Sequence, residues 1–464
     1  MSDKSFVFFK TKSTESFELV EAPYAIVDEA GAESRPYAVV DRRHARQESV
    51  DEDVKLVRLP SFAPLSPDEF ASYFDVDGRV VMETKLRESI FHGGCDGAIR
   101  KKVWSFIFGV HPMLSTDSER EVLDVENHYK YHALKMRCLC YISEGGNTEQ
   151  DVMSLKLPPP TNQSQFSDST LENHANLAKI FAGNQEIDLC SGDWMKVINK
   201  DIPRTDTQHP YFKNQDSNFA EKMKNILITF GFYHPSIGYV QGMNDILTRF
   251  MVVMETEVEA YWSFTRYMEH VERDFDSNGM VEKLDLVRQL LKDLEPNLYS
   301  HLCDCSVEDL VFCHRWLLVS FKREFDYEES IRYFEMVHSQ HLELDSLTAI
   351  HAQDEQLRLE VLRGEGSSPP TNPTLVDTKY TFEVFVCVAV IMLKRQQFLA
   401  CKDAAEVFHI ACNIRGTLVL QKVHAKAFAL FFKYCRKSVS QQFVKVERPN
   451  ILDAMSKLFK TKLF

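Results

Sequence analysis

Apolar residues recur every three to four positions over long stretches of this chain, and this repeat constrains the fold more than any other feature. The clearest stripe falls at i, i+4, i+7, i+8 and i+11 and consists of Phe219, Met223, Ile226, Leu227 and Phe230. This spacing places the five side chains on one face of an α-helix, which Gly231 is predicted to end. Glycine is scarce, with 17 among 464 residues, about half of its usual share. Both features predict an all-α fold.

Composition and charge restrict the classes of protein to which the chain can belong. With 464 residues, of which 44% are hydrophobic, it can bury a large core and form two or more compact units. The 54 Lys and Arg residues oppose 68 Asp and Glu residues, giving a net charge of −14. This balance argues against a nucleic-acid-binding protein, because phosphate backbones require basic surfaces. Residues 1–6 lack the apolar stretch of a signal peptide, so we expect a cytoplasmic protein.

The pattern divides the chain into three regions. Residues 1–65 mix short apolar pieces with many charges, which indicates an accessory or poorly ordered region. Residues 66–436 carry the helical pattern and are predicted to form one domain. Within it we expect a polar inserted loop at 147–173, where consecutive prolines preclude a helix, and a flexible linker at 363–373. Residues 437–464 form a basic, amphipathic C-terminal tail.

Two segments give strong local signals for helices. Ser66 is a good N-cap, Pro67 suits the first helical position, and the acids Asp68 and Glu69 follow in the first turn. The longest apolar run, residues 384–393, is ten residues long, whereas a membrane span needs roughly 20. We therefore expect this run to form a buried central helix and not a bilayer anchor.

The eleven cysteines show no disulfide framework, and we expect reduced, mostly buried thiols. One group of side chains offers enough soft ligands for zinc: His301, Cys303, Cys305, Cys313 and His314. This group lacks the paired Cys-x-x-Cys of common zinc sites. The favoured interpretation is a helix–loop–helix core, because apolar residues lie at helical spacing around it, namely Val307, Leu310, Val311, Leu317, Leu318 and Phe321. A hydrolase that uses Cys313 and His314 is a further hypothesis, although no nucleophile–histidine–acid spacing is recognisable.

Two side chains 37 residues apart, Arg204 and Gln241, are suited to phosphate-transfer chemistry. An arginine can neutralise charge that develops on a γ-phosphate, and a glutamine amide can hold an attacking water by donating and accepting hydrogen bonds. Gln241 is predicted at a loop-to-helix junction, and Pro203 stiffens the approach to Arg204. Taken singly, Arg204 is typical of a surface ion pair and Gln241 of a helix cap. Together they predict a protein that completes another protein's active site.

The segments around these two side chains resemble motifs of one family. Residues 198–204, Ile-Asn-Lys-Asp-Ile-Pro-Arg, match the Ile-x-x-Asp-x-x-Arg motif of TBC-domain GTPase-activating proteins for Rab GTPases. Residues 239–241, Tyr-Val-Gln, match the Tyr-x-Gln motif of the same family, and residues 91–104 resemble its opening Gly-Gly…Arg-x-x-x-Trp motif. Similarity to later helices of the family follows at 271–275 and 313–325. The motifs occur in the family's order, and the resemblance spans roughly residues 66–436.

The resemblance implies a two-lobed, all-α domain in which Arg204 and Gln241 enter the nucleotide site of a GTP-bound Rab together. Arg204 would stabilise charge on the transferring γ-phosphoryl group, and Gln241 would replace the Rab's own glutamine in positioning water.

Four supporting residues follow from the same resemblance. Asp201 would orient the arginine by a charge-assisted hydrogen bond, and Tyr239 belongs to the glutamine motif. Arg100 and Trp104, at i and i+4 on one helix face, would buttress the groove.

The sequence thus predicts a GTPase activator that regulates vesicle trafficking and is not itself the hydrolysing enzyme. It would need no cofactor of its own, because the Rab carries GTP and Mg²⁺. The alternative is a catalytically silent scaffold or effector with the same fold, which binds a Rab without accelerating hydrolysis. The identity of the Rab, the organelle and the oligomeric state stay open.

The C-terminal tail is basic although the protein as a whole is acidic. Between residues 433 and 464, eight Lys and Arg residues oppose two acids, a formal charge of +6. Apolar residues form one face beside these charges: Ile451, Leu452, Met455, Leu458 and Phe459. A last helix docked on the domain is the favoured interpretation. The alternative is contact with an anionic membrane surface or an acidic partner, which would make the protein peripheral on endomembranes.

Overall fold

Helices account for nearly all regular structure in the part of the chain described by the computed structural model. That part comprises residues 6–9, 18–21, 62–143, 152–161, 166–187, 192–207, 209, 212, 218–276, 278–341 and 381–445. The α-helices are α1 (Pro67–Ala71), α2 (Glu83–Gly93), α3 (Arg100–Ile107), α4 (Asp117–Ser143), α5 (Asp168–Asn184), α6 (Gly192–Asp201), α7 (Phe219–Tyr233), α8 (Met243–Val253), α9 (Glu257–Val271), α10 (Gly279–Leu294), α11 (Pro296–Asp304), α12 (His314–Leu318), α13 (Tyr327–Val337), α14 (Phe382–Leu393), α15 (Arg395–Ala400), α16 (Ala404–Cys412) and α17 (Leu420–Lys445). Short 3₁₀ turns lie at Val152–Ser154, Ile202–Arg204, Glu272–Phe275 and Val311–Cys313. The predicted all-α class is confirmed.

One pair of short strands lies in the N-terminal region that was predicted to be less regular. Strand β1 (Phe6–Phe9) pairs antiparallel with β2 (Glu18–Glu21), with Phe6 opposite Glu21 and Phe9 opposite Glu18. Within the described residues these are the only strands, so they do not alter the fold class.

Local sequence signals fix the starts of two helices. The Ser66 hydroxyl accepts a hydrogen bond from the Glu69 amide at 3.2 Å, with Pro67 at the first position of α1, as predicted. Helix α9 begins with a capping box, in which Thr256 and Glu259 satisfy each other's backbone N–H groups.

The described helices divide between two compact units. The first contains α1–α13, α15 and α16, and the second contains α14 and nearly all of α17. In the first unit, α8 is buried on every side, since each residue from Met243 to Met251 is buried. Aromatic side chains surround its middle: the ring centroids of Trp104, Phe108 and Phe334 lie 5.0–5.7 Å from that of Phe250. Helix α8 is thus the centre of this core.

The apolar run at 384–393 forms most of α14 in the second unit. Residues 382–391 of this helix are all buried, which confirms the prediction of a buried helix. Its Phe385 ring packs edge to face against Phe431 of α17, with 5.5 Å between ring centroids. Among the described helices, none combines the length and the apolar character that crossing a bilayer requires.

The predicted inserted loop at 147–173 ends earlier than expected. Helix α5 begins at Asp168, because the Ser167 hydroxyl caps it by accepting the Thr170 amide hydrogen bond at 3.2 Å. Part of the loop is also less exposed than expected, since Leu155 is buried. The sequence pattern does not indicate this start of α5, because the surrounding residues are polar.

The predicted tail and the predicted linker are described only in part or not at all. Helix α17 continues without a break to Lys445, so it crosses the predicted start of the tail at residue 437. The apolar face of the tail, residues 451–459, and the linker at 363–373 lie outside the described residues.

Helix α7 does not end at Gly231 as predicted but continues to Tyr233. The glycine serves a packing role instead. A β-carbon at this position would lie 2.8 Å from Cη2 of Trp194 in α6, closer than two carbon atoms can approach. The same indole lies 3.4 Å from the corresponding position of Gly238, so it has little room to move away. The glycine therefore allows α6 and α7 to pack closely.

We expect Gly231→Ala to lower the free energy of unfolding by about 1–2 kcal/mol, measured by denaturant titration. Overpacking costs roughly 1–3 kcal/mol, which exceeds the gain of about 1 kcal/mol from alanine's helix propensity. Gly183→Ala in α5 is the matched control, because no atom lies within 4 Å of its added carbon. The control should be neutral or stabilising. Equal behaviour of the two variants would contradict the packing role of Gly231.

Candidate functional site

Arg204 stands at the end of a short turn that follows α6. The turn Ile202–Arg204 carries Pro203 at its second position, which fixes the backbone approach to the arginine. The Arg204 side chain is 48% exposed, whereas the Asp201 side chain beside it is only 1% exposed. Arg204 Nη2 donates to Asp201 Oδ1 at 2.5 Å. A buried carboxylate thus holds a guanidinium that is still half exposed, and this is the contact that the family resemblance implied.

The other oxygen of Asp201 binds the second motif. The Tyr239 hydroxyl donates to Asp201 Oδ2 at 2.7 Å, and both groups are buried. Burial, and then the negative charge of Asp201, raise the pKa of Tyr239 well above its usual value. The phenol therefore stays protonated and acts as the donor. One carboxylate joins Arg204 to a residue that lies two positions before Gln241.

Gln241 lies in the turn that leads into α8, so its predicted place at a loop-to-helix junction is confirmed. Gly242 follows with φ of +111°, a conformation that side chains rarely adopt, and this turns the chain into the helix. The Gln241 side chain is partly exposed, and no described residue hydrogen-bonds its amide. The amide can therefore both donate to and accept from a partner.

Asn244 and Thr205 connect the two motifs a second time. Asn244 Nδ2 donates to Thr205 Oγ1 at 2.9 Å, and the Thr205 hydroxyl donates to the Asp201 carbonyl at 2.7 Å. Asn244 Oδ1 accepts from the Gly242 amide at 3.1 Å. All these side chains are buried, so each hydrogen bond is made in a site shielded from water. Neither Asn244 nor Thr205 belongs to the motifs identified from the sequence, and only the structure brings them to the site.

A cluster of charges lies against the first turns of α8. Lys322 donates to Asp245 Oδ1 at 3.1 Å, to Thr248 Oγ1 at 2.6 Å and to Asp206 Oδ2. Arg323 Nη2 donates to Asp245 Oδ2 at 2.7 Å. Burial alone would raise the pKa of Asp245, but the positive charges of Lys322 and Arg323 outweigh it and lower that pKa to about 2. Asp245 is thus ionised at neutral pH.

Sequence reasoning missed this cluster. Residues 322 and 323 fall within the segment 313–325 that resembles later helices of the family, but helix α12 in this segment ends at Leu318. The available signal was the basic pair Lys322 and Arg323, which follows a mostly apolar segment.

Arg100 and Trp104 meet at a different carboxylate, that of Glu335 in α13. Arg100 Nε and Trp104 Nε1 both donate to Glu335 Oε2 at 2.9 Å, and the Cys95 amide donates to Oε1 at 2.8 Å. Among the described residues, neither Arg100 nor Trp104 hydrogen-bonds the pair of Asp201 and Tyr239. The Trp104 ring packs on Phe250 of α8, so any support to the site passes through the core.

The structure does not bring the candidate zinc ligands together as one set. His301 Nε2 lies 3.0 Å from the Cys401 carbonyl oxygen and 3.7 Å from Cys305 Sγ. No three of the five candidates, all of them described, bring their ligand atoms within 4.8 Å of one another, so they do not form the tetrahedral set that zinc requires. Cys313 is fully buried, whereas catalytic thiols are partly exposed. Its neighbours Val307, Leu310 and Leu317 are buried too, which favours the core interpretation.

Comparison with known proteins adds an independent line of information. The sequence profile of the Rab-GTPase-TBC domain family matches residues 98–351, more than half of the 464 residues. The GTPase-activating protein GYP7 of Candida glabrata is 32% identical over 277 residues, which cover 59% of this chain and 35% of that protein. TBC1 domain family member 25 of Homo sapiens is 29% identical over 294 residues, covering 63% of this chain and 36% of that protein. The chain thus spans about a third of the length of these curated relatives.

A solved structure is similar in fold. The crystal structure of the YPT/RAB-GAP domain of GYP1P superposes with a TM-score of 0.54 at 16% sequence identity. The alignment covers 80% of this chain and 98% of that domain. At this identity the similarity concerns the fold alone.

Proposed function

Because the chain belongs to the Rab-GTPase-TBC domain family, we propose that it activates GTP hydrolysis by a Rab GTPase, to which it supplies Arg204 and Gln241 in trans. The observation that carries this proposal is the Asp201 carboxylate, which binds Arg204 through one oxygen and Tyr239 through the other. Such an arrangement fixes the Arg204 guanidinium, and anchors the segment that carries Gln241, before the partner arrives. Preorganisation of this kind is the main source of catalysis in phosphoryl transfer.

Each residue has a distinct task in this mechanism. Arg204 donates to the oxygens of the transferring γ-phosphoryl group and neutralises the charge that develops there. Gln241 orients the attacking water, since its amide accepts one hydrogen bond and donates another. Asp201 keeps the guanidinium plane fixed, because a charge-assisted hydrogen bond is strong and directional. Tyr239 anchors the glutamine segment to the same carboxylate.

The protein in this proposal brings no cofactor to the reaction. Its partner is a GTP-bound Rab, which carries both the nucleotide and Mg²⁺. Rab GTPases act on membranes, so we propose that this activator regulates vesicle trafficking on the cytoplasmic side of endomembranes.

The test is single-turnover hydrolysis by a panel of GTP-loaded Rab GTPases, with wild-type protein beside Arg204→Ala and Gln241→Ala. We expect one or a few Rabs to be accelerated by several orders of magnitude, and Arg204→Ala to abolish most of the effect, since an arginine supplied in trans contributes about 10³–10⁵ in rate. Gln241→Ala should also lose most of the acceleration. If Rabs bind but none is accelerated, the protein is a silent scaffold and the proposal is wrong.

A further inference from the structure

The ammonium group of Lys322 joins two segments that are remote in sequence. Its three N–H donors have three acceptors: Asp206, two positions after Arg204, and Asp245 and Thr248 in the first turns of α8. The Lys322 side chain is only 3% exposed, and both carboxylates are mostly buried. A single fully bonded cation therefore connects the arginine segment to the helix that follows Gln241.

The backbone that carries Lys322 is itself held by α8. Ser320 and Phe321 adopt left-handed conformations, with φ of 45° and 52°, which persist only where surrounding contacts enforce them. Arg249, a fully buried residue of α8, supplies those contacts by donating to the Val319 carbonyl at 3.1 Å and the Ser320 carbonyl at 2.8 Å. Lys322 is thus presented from a rigid turn and not from a flexible loop.

The arginine segment needs such an anchor. Asp206 has φ of 46°, again in the left-handed region, directly after the turn that carries Arg204. Its carboxylate is bound by Lys322. This contact adds to two other links between this segment and α8, which are the hydrogen bond between Thr205 and Asn244 and the path from Asp201 through the Tyr239 hydroxyl to Asn244.

We propose that Lys322 is a positioning residue that sets the arginine segment at a fixed distance from the glutamine segment. This inference rests on the function proposed above, in which both side chains must reach one nucleotide site at once. A displacement of about 1 Å costs roughly 10²-fold in a reaction that depends on orientation. Lys322 acts through Arg204 and Gln241, and it is too buried to touch the partner itself.

Lys322→Met is the informative variant, because it removes the charge but keeps an unbranched side chain of similar length. The fold should survive the change. Asp245 keeps Arg323 as its ion-pair partner, and the Asp206 side chain is 20% exposed and can be solvated. Removing one partner of a buried ion pair is nevertheless destabilising, so denaturant titration of the variant comes first and each rate is taken per folded molecule.

The first measurement is the single-turnover rate at saturating activator, together with the Kd for the Rab loaded with a non-hydrolysable GTP analogue. For Lys322→Met we expect the rate to fall about 10- to 100-fold while the Kd stays within about threefold. In a Gln241→Ala background the same change should lower the single-turnover rate by a much smaller factor, because the effects of mutating residues that act as a unit are not additive. Equal losses of rate and affinity would overturn the inference in favour of a binding role.

Asp206→Asn provides a second variant with an intact Lys322. Asparagine tolerates the left-handed backbone as aspartate does, so this change removes only the charge that Lys322 holds. Like Lys322→Met, it should lower the rate at saturating activator and leave the Kd for the Rab unchanged. Lys283→Met is the matched control, since Lys283 is another buried lysine and pairs at 2.5 Å with Asp274, a carboxylate outside the cluster. A rate loss as large in this control would indicate general loosening and contradict the role of Lys322.

Hydrogen exchange tests the same inference without any Rab. In Lys322→Met, the amides of residues 202–207 should exchange at least several-fold faster than in the wild type, while those of α8 stay protected. If no Rab responds to the wild type but this exchange pattern appears, the proposed function fails and the connection made by Lys322 stands. Unchanged exchange at 202–207 would overturn the positioning role whatever the Rab assay shows.

Discussion

Replacing Arg204 with lysine is expected to remove nearly all of the acceleration of Rab GTP hydrolysis, a loss of about 10³-fold or more. Lysine keeps the positive charge, so a purely electrostatic role would be spared. The guanidinium, however, is bound to Asp201 through Nη2 and still presents other donors in the same plane. An ammonium on a shorter side chain cannot keep the Asp201 contact and also reach two phosphoryl oxygens.

The measurement is the single-turnover rate with the Rab that responds to the wild type. Lys200→Ala is the matched control, because Lys200 is an exposed cation near the end of α6 and close to Arg204 in the chain. It should leave the rate within about threefold of the wild type, as expected for a surface change. If Arg204→Lys kept a tenth or more of the wild-type acceleration, the planar guanidinium with its several donors would be unimportant and the mechanism would need revision.

Glu335→Gln is expected to lower the free energy of unfolding by about 3–5 kcal/mol, the usual cost of removing one partner of a buried ion pair. Glu335 is fully buried and is the acceptor for Arg100, Trp104 and the Cys95 amide. The Arg100 side chain is only 17% exposed, so its charge would be left without compensation in a site poor in water. A glutamine keeps the shape but offers one oxygen where the carboxylate offers two.

Denaturant titration measures this effect, with Glu328→Gln as the control, since Glu328 is an exposed carboxylate in the same helix. The rate of Rab activation per folded molecule should remain within about threefold of the wild type, because the hydrogen-bond partners of Glu335 are Arg100, Trp104 and Cys95 and not the arginine or glutamine segment. A large loss of specific rate with unchanged stability would instead support a direct role of Arg100 and Trp104 in the groove. The pair of assays thus tests whether these two residues stabilise the core or the site.

The fold could be predicted where the controlling interactions are local. Helix periodicity, the Ser66 cap and the long apolar run all depend on residues within a few positions of one another, and the structure agrees with each. The errors occurred where a distant residue intervenes. Gly231 does not end α7, because its role is to admit the Trp194 ring from α6. The stretch around Phe321 is not helical, because Arg249 holds the preceding carbonyls in a turn.

The sequence by itself determined the helical class, the exposed arginine and the glutamine at the start of a helix, since spacing and residue type carry that information. The family resemblance also implied that Asp201 pairs with Arg204, but only the tertiary structure identified the other groups that fix the two segments. Lys322 lies 77 residues from Asp245 and 116 from Asp206, and Asp201 lies 38 from Tyr239. Pairs so far apart leave no periodic trace in the chain, because loop closure and core packing, not local preference, bring them together. Short motifs therefore specify which chemical groups the site contains, while the packing of the whole core around α8 specifies their positions.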